Sequence, residues 1–203
     1  MSDEIEVRES RPISLEQAEL RAEQEDGELR IKGYGAVFNS LSHDLGGWRE
    51  IIHPDAFSKV LRQDVHSYFN HDPNMILGRV SSNTLRIWVD DRGLGYSVKP
   101  PKSRADVIES LERGDVTGSS FAFSIAKDGE AWTADERGKP LRTITKVSRL
   151  YEVGPVVSPA YPDTSAARRS LNAAIKHGMV SEKMGVDMDS LRRRLAILAP
   201  GSR

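Results

Sequence analysis

The feature that most limits the fold of this chain is a short segment in which bulky apolar and small residues alternate. It follows two glycines and reads Ser119-Ser120-Phe121-Ala122-Phe123-Ser124-Ile125. Alternation with a period of two predicts a β-strand with one bulky apolar face and one small, polar face. Ser119 shares the face of the phenylalanines, and Ser120 lies on the other face. Ser120 is therefore the hydroxyl expected to face a cleft, although in an arbitrary Gly-Ser-Ser sequence both serines would be ordinary turn residues.

Short segments of the same kind recur along the chain and predict a mainly β fold. About seven to nine short strands with two inserted helices favour a closed or nearly closed antiparallel β-barrel with peripheral helices over a doubly wound sheet. The expected strands are 29–38, 48–52, 65–70, 77–80, 84–89, 94–98, 119–125, 141–147 and 150–157, and the expected helices are 54–61 and 103–113.

Composition divides the chain into three parts. Residues 1–27 are dense in acidic residues with scattered arginines, which predicts a flexible charged arm with at most a weak helix. Residues 28–164 hold the predicted strands and form the expected barrel domain. Residues 165–203 form a helical tail, and its second helix, 189–199, carries an apolar stripe. This stripe can dock on a partner or on the chain's own barrel.

The overall composition excludes several classes of function. The 203 residues contain 29 Lys and Arg against 30 Asp and Glu, and this balance gives no reason to expect a nucleic-acid partner. Cysteine is absent, which excludes a thiol nucleophile and a disulfide framework. No apolar run has the length of a membrane span, so we expect a soluble intracellular protein. No histidine pair has the spacing of a zinc site and no phosphate-binding loop is present, so no metal or cofactor is expected.

Three residues could form a nucleophilic site. His71 stands at the end of a predicted strand, where a rigid scaffold can hold a functional side chain, and Ser120 offers the hydroxyl. Glu152 lies within an apolar strand, where a half-buried carboxylate needs a partner. A structural ion pair with Arg142 or Arg149 would explain Glu152 equally well.

Several blocks of the sequence, in order, resemble those of the tailed-phage prohead (capsid maturation) serine proteases. The resemblance runs from about residue 29 to residue 164, about two thirds of the chain. The blocks are specific as a set, although none is decisive alone. They are 33–38 (GYGAVF), 50–57 (EIIHPDAF), 69–72 (FNHD), 77–79 (LGR), 93–94 (GL), 118–123 (GSSFAF), 150–153 (LYEV) and 159–162 (PAYP).

The resemblance implies a β-barrel like that of the herpesvirus assembly proteases and a catalytic set of His71, Ser120 and Glu152. In the family the nucleophile precedes a Phe-x-Phe pair, and this matches Ser120. The residue before it is often methionine in relatives and is Ser119 here, so Ser119 remains a rival nucleophile. Arg142 is a weak candidate for a supporting role.

The resemblance also implies a setting and partners. The enzyme would act inside the assembling prohead in the host cytoplasm, or in the bacterial cytoplasm if prophage-encoded, on the major capsid protein precursor and scaffold segments. Self-cleavage would remove the tail beyond about residue 165, and a homodimer is implied by the herpesvirus enzymes. No nucleic acid or membrane partner is expected. The alternative is a non-catalytic prohead scaffold or docking protein with the same barrel.

Overall fold

A computed structural model describes residues 7–158 and 164–197 of the chain. Within these residues the chain forms three β-sheets and four α-helices. Strands (β) and helices (α) are numbered below in their order along the chain.

A five-stranded sheet forms the centre of the fold. Its order is β1-β9-β12-β5-β6, and all neighbours are antiparallel except β12 and β5, which are parallel. The strands are β1 (Glu9–Ser14), β9 (Gly118–Ile125), β12 (Val147–Val156), β5 (His66–Phe69) and β6 (Asp72–Arg79).

Two smaller sheets complete the β structure. The four-stranded sheet is antiparallel throughout, whereas in the three-stranded sheet β4 runs parallel to β11. The first has the order β2 (Arg21–Glu25), β3 (Glu28–Val37), β8 (Gly93–Val98), β7 (Leu85–Val89), and the second β10 (Glu130–Ala134), β11 (Pro140–Ile144), β4 (Arg49–Ile52).

The helices are short. The single turn of α1 (Leu15–Ala18) begins at Ser14, which forms a capping box with Gln17. The expected helix at 103–113 is α2 (Ala105–Glu112), and the expected helix at 54–61 is a 3-10 turn over Pro54–Phe57. The tail forms α3 (Thr164–Lys176) and α4 (Met188–Ile197). Among the described helices, none combines the length and apolar character needed to span a membrane.

The main core lies between the five-stranded and four-stranded sheets. Phe121, Phe123 and Val153 are fully buried on one side, as are Ile31 and Tyr96 on the other. The sheets approach so closely that a β-carbon at position 35 would collide with the side chain of Val153. The bulky face predicted for residues 119–125 is therefore the core face.

The predicted closed or nearly closed barrel is wrong. Closure requires the two edge strands of a sheet to pair with each other. Among the described strands, β1 pairs with β9 and β6 pairs with β5, so the five-stranded sheet stays open. The strands expected at 77–80, 84–89 and 94–98 do not lie in one barrel but divide between sheets: β6 belongs to the five-stranded sheet, and β7 and β8 belong to the four-stranded one.

Both ends of the described chain are built into the fold. The segment expected as a weakly held arm contributes β1, α1 and β2 from residue 9 onward. The tail helices bury Leu171 and Leu191 in a second core with Trp48 and Trp132. Of the two docking modes left open for the tail, the described helices adopt the one on the chain's own domain.

A buried ion cluster connects β1 to the rest of the molecule. Arg142 on β11 donates to both oxygens of Glu9 at 2.9 and 3.0 Å, and Arg11 donates to both oxygens of Glu50 at 2.5 and 3.1 Å. Burial alone would raise the pKa of Glu9, but the charges of Arg11 and Arg142 outweigh it and lower that pKa from 4.5 to about 2. The Glu9 carboxylate therefore stabilises the folded state only while it is ionised.

We predict that this cluster makes stability fall in acid. Because the folded-state pKa of Glu9 is depressed, its contribution is complete above pH 4.5 and is lost as the pH falls toward about 2. Glu9→Gln should lower the free energy of unfolding at pH 7 by roughly 3 kcal/mol, because it removes one of the carboxylates that neutralise Arg11 and Arg142 in a buried site. The variant should also lose less stability than the wild type between pH 4.5 and pH 3. Urea titrations at several pH values measure both effects.

Glu23→Gln is the control, because Glu23 forms a surface ion pair with Arg21. This change should cost at most about 1 kcal/mol. Equal acid sensitivity in the wild type and Glu9→Gln would contradict the assignment.

Candidate active site

Ser120 lies in the middle of the central sheet. It is opposite Gly154 on β12 and opposite Pro12 on β1, so both neighbouring strands flank it. The residue is 1% exposed, and its Oγ has no hydrogen-bond partner in the part of the chain that the structure describes. A buried hydroxyl without a partner is costly in a purely structural role.

Ser119 has a different environment. Its side chain faces the core, where Oγ lies 3.1 Å from the Tyr96 hydroxyl and donates to the Gly154 carbonyl at 3.2 Å. Burial raises the pKa of Tyr96, which keeps that phenol neutral. Ser119 is thus engaged in core hydrogen bonds, while Ser120 lies on the opposite face of the sheet.

A bulge in β12 turns Glu152 to the face of Ser120. Leu150 is opposite Phe123 on the core face, and without a bulge Glu152 would be opposite Phe121 on the same face. The register shifts between Leu150 and Glu152, so Glu152 is instead opposite Ala122. Glu152 and Ser120 are then diagonal neighbours on one face, a relation that places β-carbons about 7 Å apart.

His71 contacts Glu152 directly. Its Nδ1 lies 3.1 Å from Oε1 of Glu152, whose side chain is 3% exposed. The ring nitrogen facing the carboxylate is Nδ1, so Nε2 is directed away from Glu152. The structure thus brings His71 and Glu152 into contact and places Ser120 on the same sheet face, without a hydrogen bond between Ser120 and His71.

A strained turn carries His71. Asn70 and His71 form the two-residue connection between β5 and β6, with φ of 53° and 61°. Such turns need left-handed residues, and Asn and His tolerate that region better than most. Asn70 anchors the turn to the end of β12: its N–H donates to the Pro155 carbonyl at 3.1 Å, and its Oδ1 accepts from the Val157 N–H at 2.8 Å. These bonds hold the histidine beside Glu152.

Gly154 permits the close approach of β5 to β12. A β-carbon at position 154 would collide with the carbonyl oxygen of Tyr68, which is backbone and cannot rotate away. Because β5 leads directly into the turn with His71, the spacing at Gly154 also sets the position of the histidine.

We predict that Gly154→Ala separates β5 from β12. The added methyl group should lower the free energy of unfolding by roughly 1–3 kcal/mol, the usual cost of overpacking, and should shift the NMR ring resonances of His71. Gly114→Ala is a matched control, because Gly114 has open space around it and a φ of +83°. It should cost stability through its backbone alone and leave the His71 resonances in place. Unchanged His71 resonances in Gly154→Ala would contradict the prediction.

The cation that pairs with Glu152 is neither of the two arginines expected from the sequence, Arg142 and Arg149. Arg142 belongs to the buried ion cluster, and the Arg149 guanidinium lies 4.8 Å from the centre of the Tyr151 ring. The cation on Glu152 is Arg8, which binds the same oxygen, Oε1, as His71. Burial, and secondarily the charge of Glu152, raise the pKa of Tyr68 nearby. Sequence reasoning missed Arg8 because residues 1–27 were assigned to a flexible arm.

A separate cleft of about 670 Å³ borders β1. Its walls include Arg11, Ile13, Leu41 and His43, and none of His71, Ser120 and Glu152 lines it. The cleft is therefore not part of the candidate site.

A serine, a histidine and a buried glutamate at one face of a mainly β domain are the residue set of a serine hydrolase. A family model described as caudovirus prohead serine protease matches residues 16–177. This match spans more than half of the sequence, and the chain belongs to that family.

The chain is also similar to the prohead protease of Enterobacteria phage HK97. The two are 28% identical over 123 residues, which cover 57% of this chain and 51% of the relative. The chain thus aligns with about half the length of this relative. No solved structure matches the chain significantly.

Proposed function

We propose that the chain is a serine endopeptidase of capsid maturation in which Ser120 is the nucleophile, His71 the general base and Glu152 the residue that orients His71. The observation that carries the proposal is the 3.1 Å contact between His71 Nδ1 and Glu152 Oε1, on the sheet face that carries Ser120. Family membership supports the same reaction class.

The geometry suggests how the proton moves. With Nδ1–H donating to Glu152, Nε2 of the neutral ring has a free lone pair and takes the proton of Ser120 as Oγ attacks a peptide carbonyl. The imidazolium then gives this proton to the leaving amine, and the acyl group stays on Ser120. Water, activated by the same nitrogen, releases the acyl group as a carboxylic acid and restores the hydroxyl. The Glu152 carboxylate stabilises the imidazolium in both steps.

Substrate binding requires a local movement. Ser120 is 1% exposed, so a peptide carbonyl reaches its Oγ only after a neighbouring segment shifts. The described conformation is therefore a covered one. Such a conformation suits an enzyme that must not cleave before assembly.

We propose the major capsid protein precursor, scaffold segments and the chain itself as substrates, inside the assembling prohead. Confinement with the substrate gives a high effective concentration, so modest intrinsic activity suffices. Residues beyond about 165 would deliver the enzyme to the capsid precursor and then be removed. Because α3 and α4 cover Trp48 and Trp132, this removal would uncover an apolar surface on the three-stranded sheet.

We predict that Ser120→Ala abolishes self-cleavage and labelling by a fluorophosphonate probe, which forms a P–O bond to an activated serine with loss of fluoride. Ser119→Ala is the matched control, because it removes the neighbouring hydroxyl. It should retain labelling and cost roughly 1–3 kcal/mol of stability, since it removes the buried hydroxyl that donates to the Gly154 carbonyl. Intact mass over time, with and without the probe, measures both reactions, and thermal melts verify folding.

The outcomes separate the hypotheses. Labelling that persists in Ser120→Ala and disappears in Ser119→Ala would transfer the nucleophile to Ser119. A wild-type chain that is neither labelled nor shortened, even when co-expressed with its capsid precursor, would favour the non-catalytic scaffold.

A further inference from the structure

Arg8 contacts the candidate site although it is not one of the three proposed catalytic residues. Its guanidinium pairs with Oε1 of Glu152, the oxygen that also contacts Nδ1 of His71. We propose that Arg8 is a positioning residue whose charge opposes protonation of His71 through the carboxylate oxygen that both side chains contact. This inference rests on the proposed function, because it assigns Arg8 a role in the reaction of Ser120.

The position of Arg8 is fixed by its neighbours. The carbonyl of Val7 accepts a hydrogen bond from Ser124 at 3.0 Å, and Ser124 lies on the same face of β9 as Ser120. The guanidinium lies 5.0 Å from the centre of the Tyr151 ring. Immediately after Arg8, β1 begins its antiparallel pairing with β9. The ion pair is thus held at both ends and differs from a mobile surface contact.

One carboxylate serves two cations when His71 is protonated. Glu152 has a 3% exposed side chain, so its attraction for a nearby charge is weakly screened. The Arg8 cation repels the imidazolium and competes for the oxygen that would stabilise it. Because the Arg8 side chain is 52% exposed, solvent weakens this repulsion without removing it. Removal of the Arg8 charge should therefore move the titration of His71 upward by roughly half a pH unit to one pH unit.

Other ionisable groups near the pair stay constant in this comparison. They lie on the three strands that surround the histidine: His66 and Tyr68 on β5, Asp72 and Arg79 on β6, and Arg149 and Tyr151 on β12. None of them changes between the variants below, so a difference in titration reports Arg8.

The consequence is a link between the start of the described chain and the reaction. With Arg8 in place, Oε1 of Glu152 is shared between the Arg8 guanidinium and the His71 ring. When residues 7 and 8 move away from Glu152, the carboxylate pairs with His71 alone, and the acid limb of the pH–rate profile moves to higher pH. The enzyme would then respond differently to pH before and after loss of this segment.

The test compares Arg8→Gln, Arg8→Lys and Arg21→Gln in the full chain. Arg21 is the matched control, because its side chain is 49% exposed and pairs with a glutamate, Glu23, on β2 of the four-stranded sheet. NMR titration of the His71 ring, assigned by its absence in His71→Gln, should show an upward shift in Arg8→Gln of roughly half a unit to one unit. The shift should be absent in Arg21→Gln, largely reversed in Arg8→Lys, and smaller at high salt, where the wild-type ion pair is screened. An unchanged midpoint in Arg8→Gln, or an equal shift in Arg21→Gln, would overturn the inference.

A second measurement separates this inference from the proposed function. The rate of fluorophosphonate labelling across pH should show the same shift of the acid limb in Arg8→Gln. If the NMR midpoint shifts while no variant is labelled at any pH, Arg8 acts on His71 as inferred and the proposed serine chemistry fails. If labelling occurs with identical pH profiles in all variants and the NMR midpoint is unchanged, the serine chemistry stands and the role of Arg8 is refuted.

Discussion

The antiparallel ladder between β9 and β12 is the contact on which the arrangement of the site depends. It runs at the centre of the sheet and brings Ser120 opposite Gly154 and Ala122 opposite Glu152. Because paired residues share a face, this register alone determines that the serine and the carboxylate are on the same side. The bulge at Tyr151 is part of the constraint. Without the bulge, Leu150 would still face the core, but Glu152 would take the place of Val153 opposite Phe121 and would be buried there.

The parallel neighbour of β12 supplies the histidine, and several weak contacts must agree to hold it. Gly154 lets β5 approach, Asn70 bonds to the end of β12 through backbone and side chain, and His71 adopts a left-handed conformation. A left-handed non-glycine residue persists only where the surroundings overdetermine it. At this position the contact with Glu152 is one of those surroundings, so the same interaction stabilises the turn and orients the ring.

Local patterns in the sequence predicted which face of a strand each residue occupies. They did not predict which strands pair with each other. The alternation around Phe121 was sufficient to separate the faces of Ser119 and Ser120, since a strand's two faces follow from its own residues. The barrel prediction was wrong because alternation shows that a strand has a buried face without showing which strand lies beside it. Glu152 could be recognised as unusual within an apolar strand, but its face depends on a bulge that no local pattern revealed. Residues 1–27 were assigned to an arm because their polar composition conceals β1, whose charged residues are buried as ion pairs and not as hydrophobic contacts.

The buried ion pairs of β1 also explain how both ends of the described chain are connected to the site. Glu9, one residue after Arg8, accepts hydrogen bonds from Arg142 and, at 3.1 Å, from Ser170 on α3. Helix α3 therefore contacts β1, the strand that pairs with β9. Arg8, the residue directly before β1, contacts Glu152. A buried ion pair adds little net stability compared with apolar packing, but it tolerates few alternative arrangements. We infer that the cluster serves mainly to fix the register of β1 against β9. It thereby holds Arg8 beside Glu152 more specifically than apolar contacts along an edge strand would.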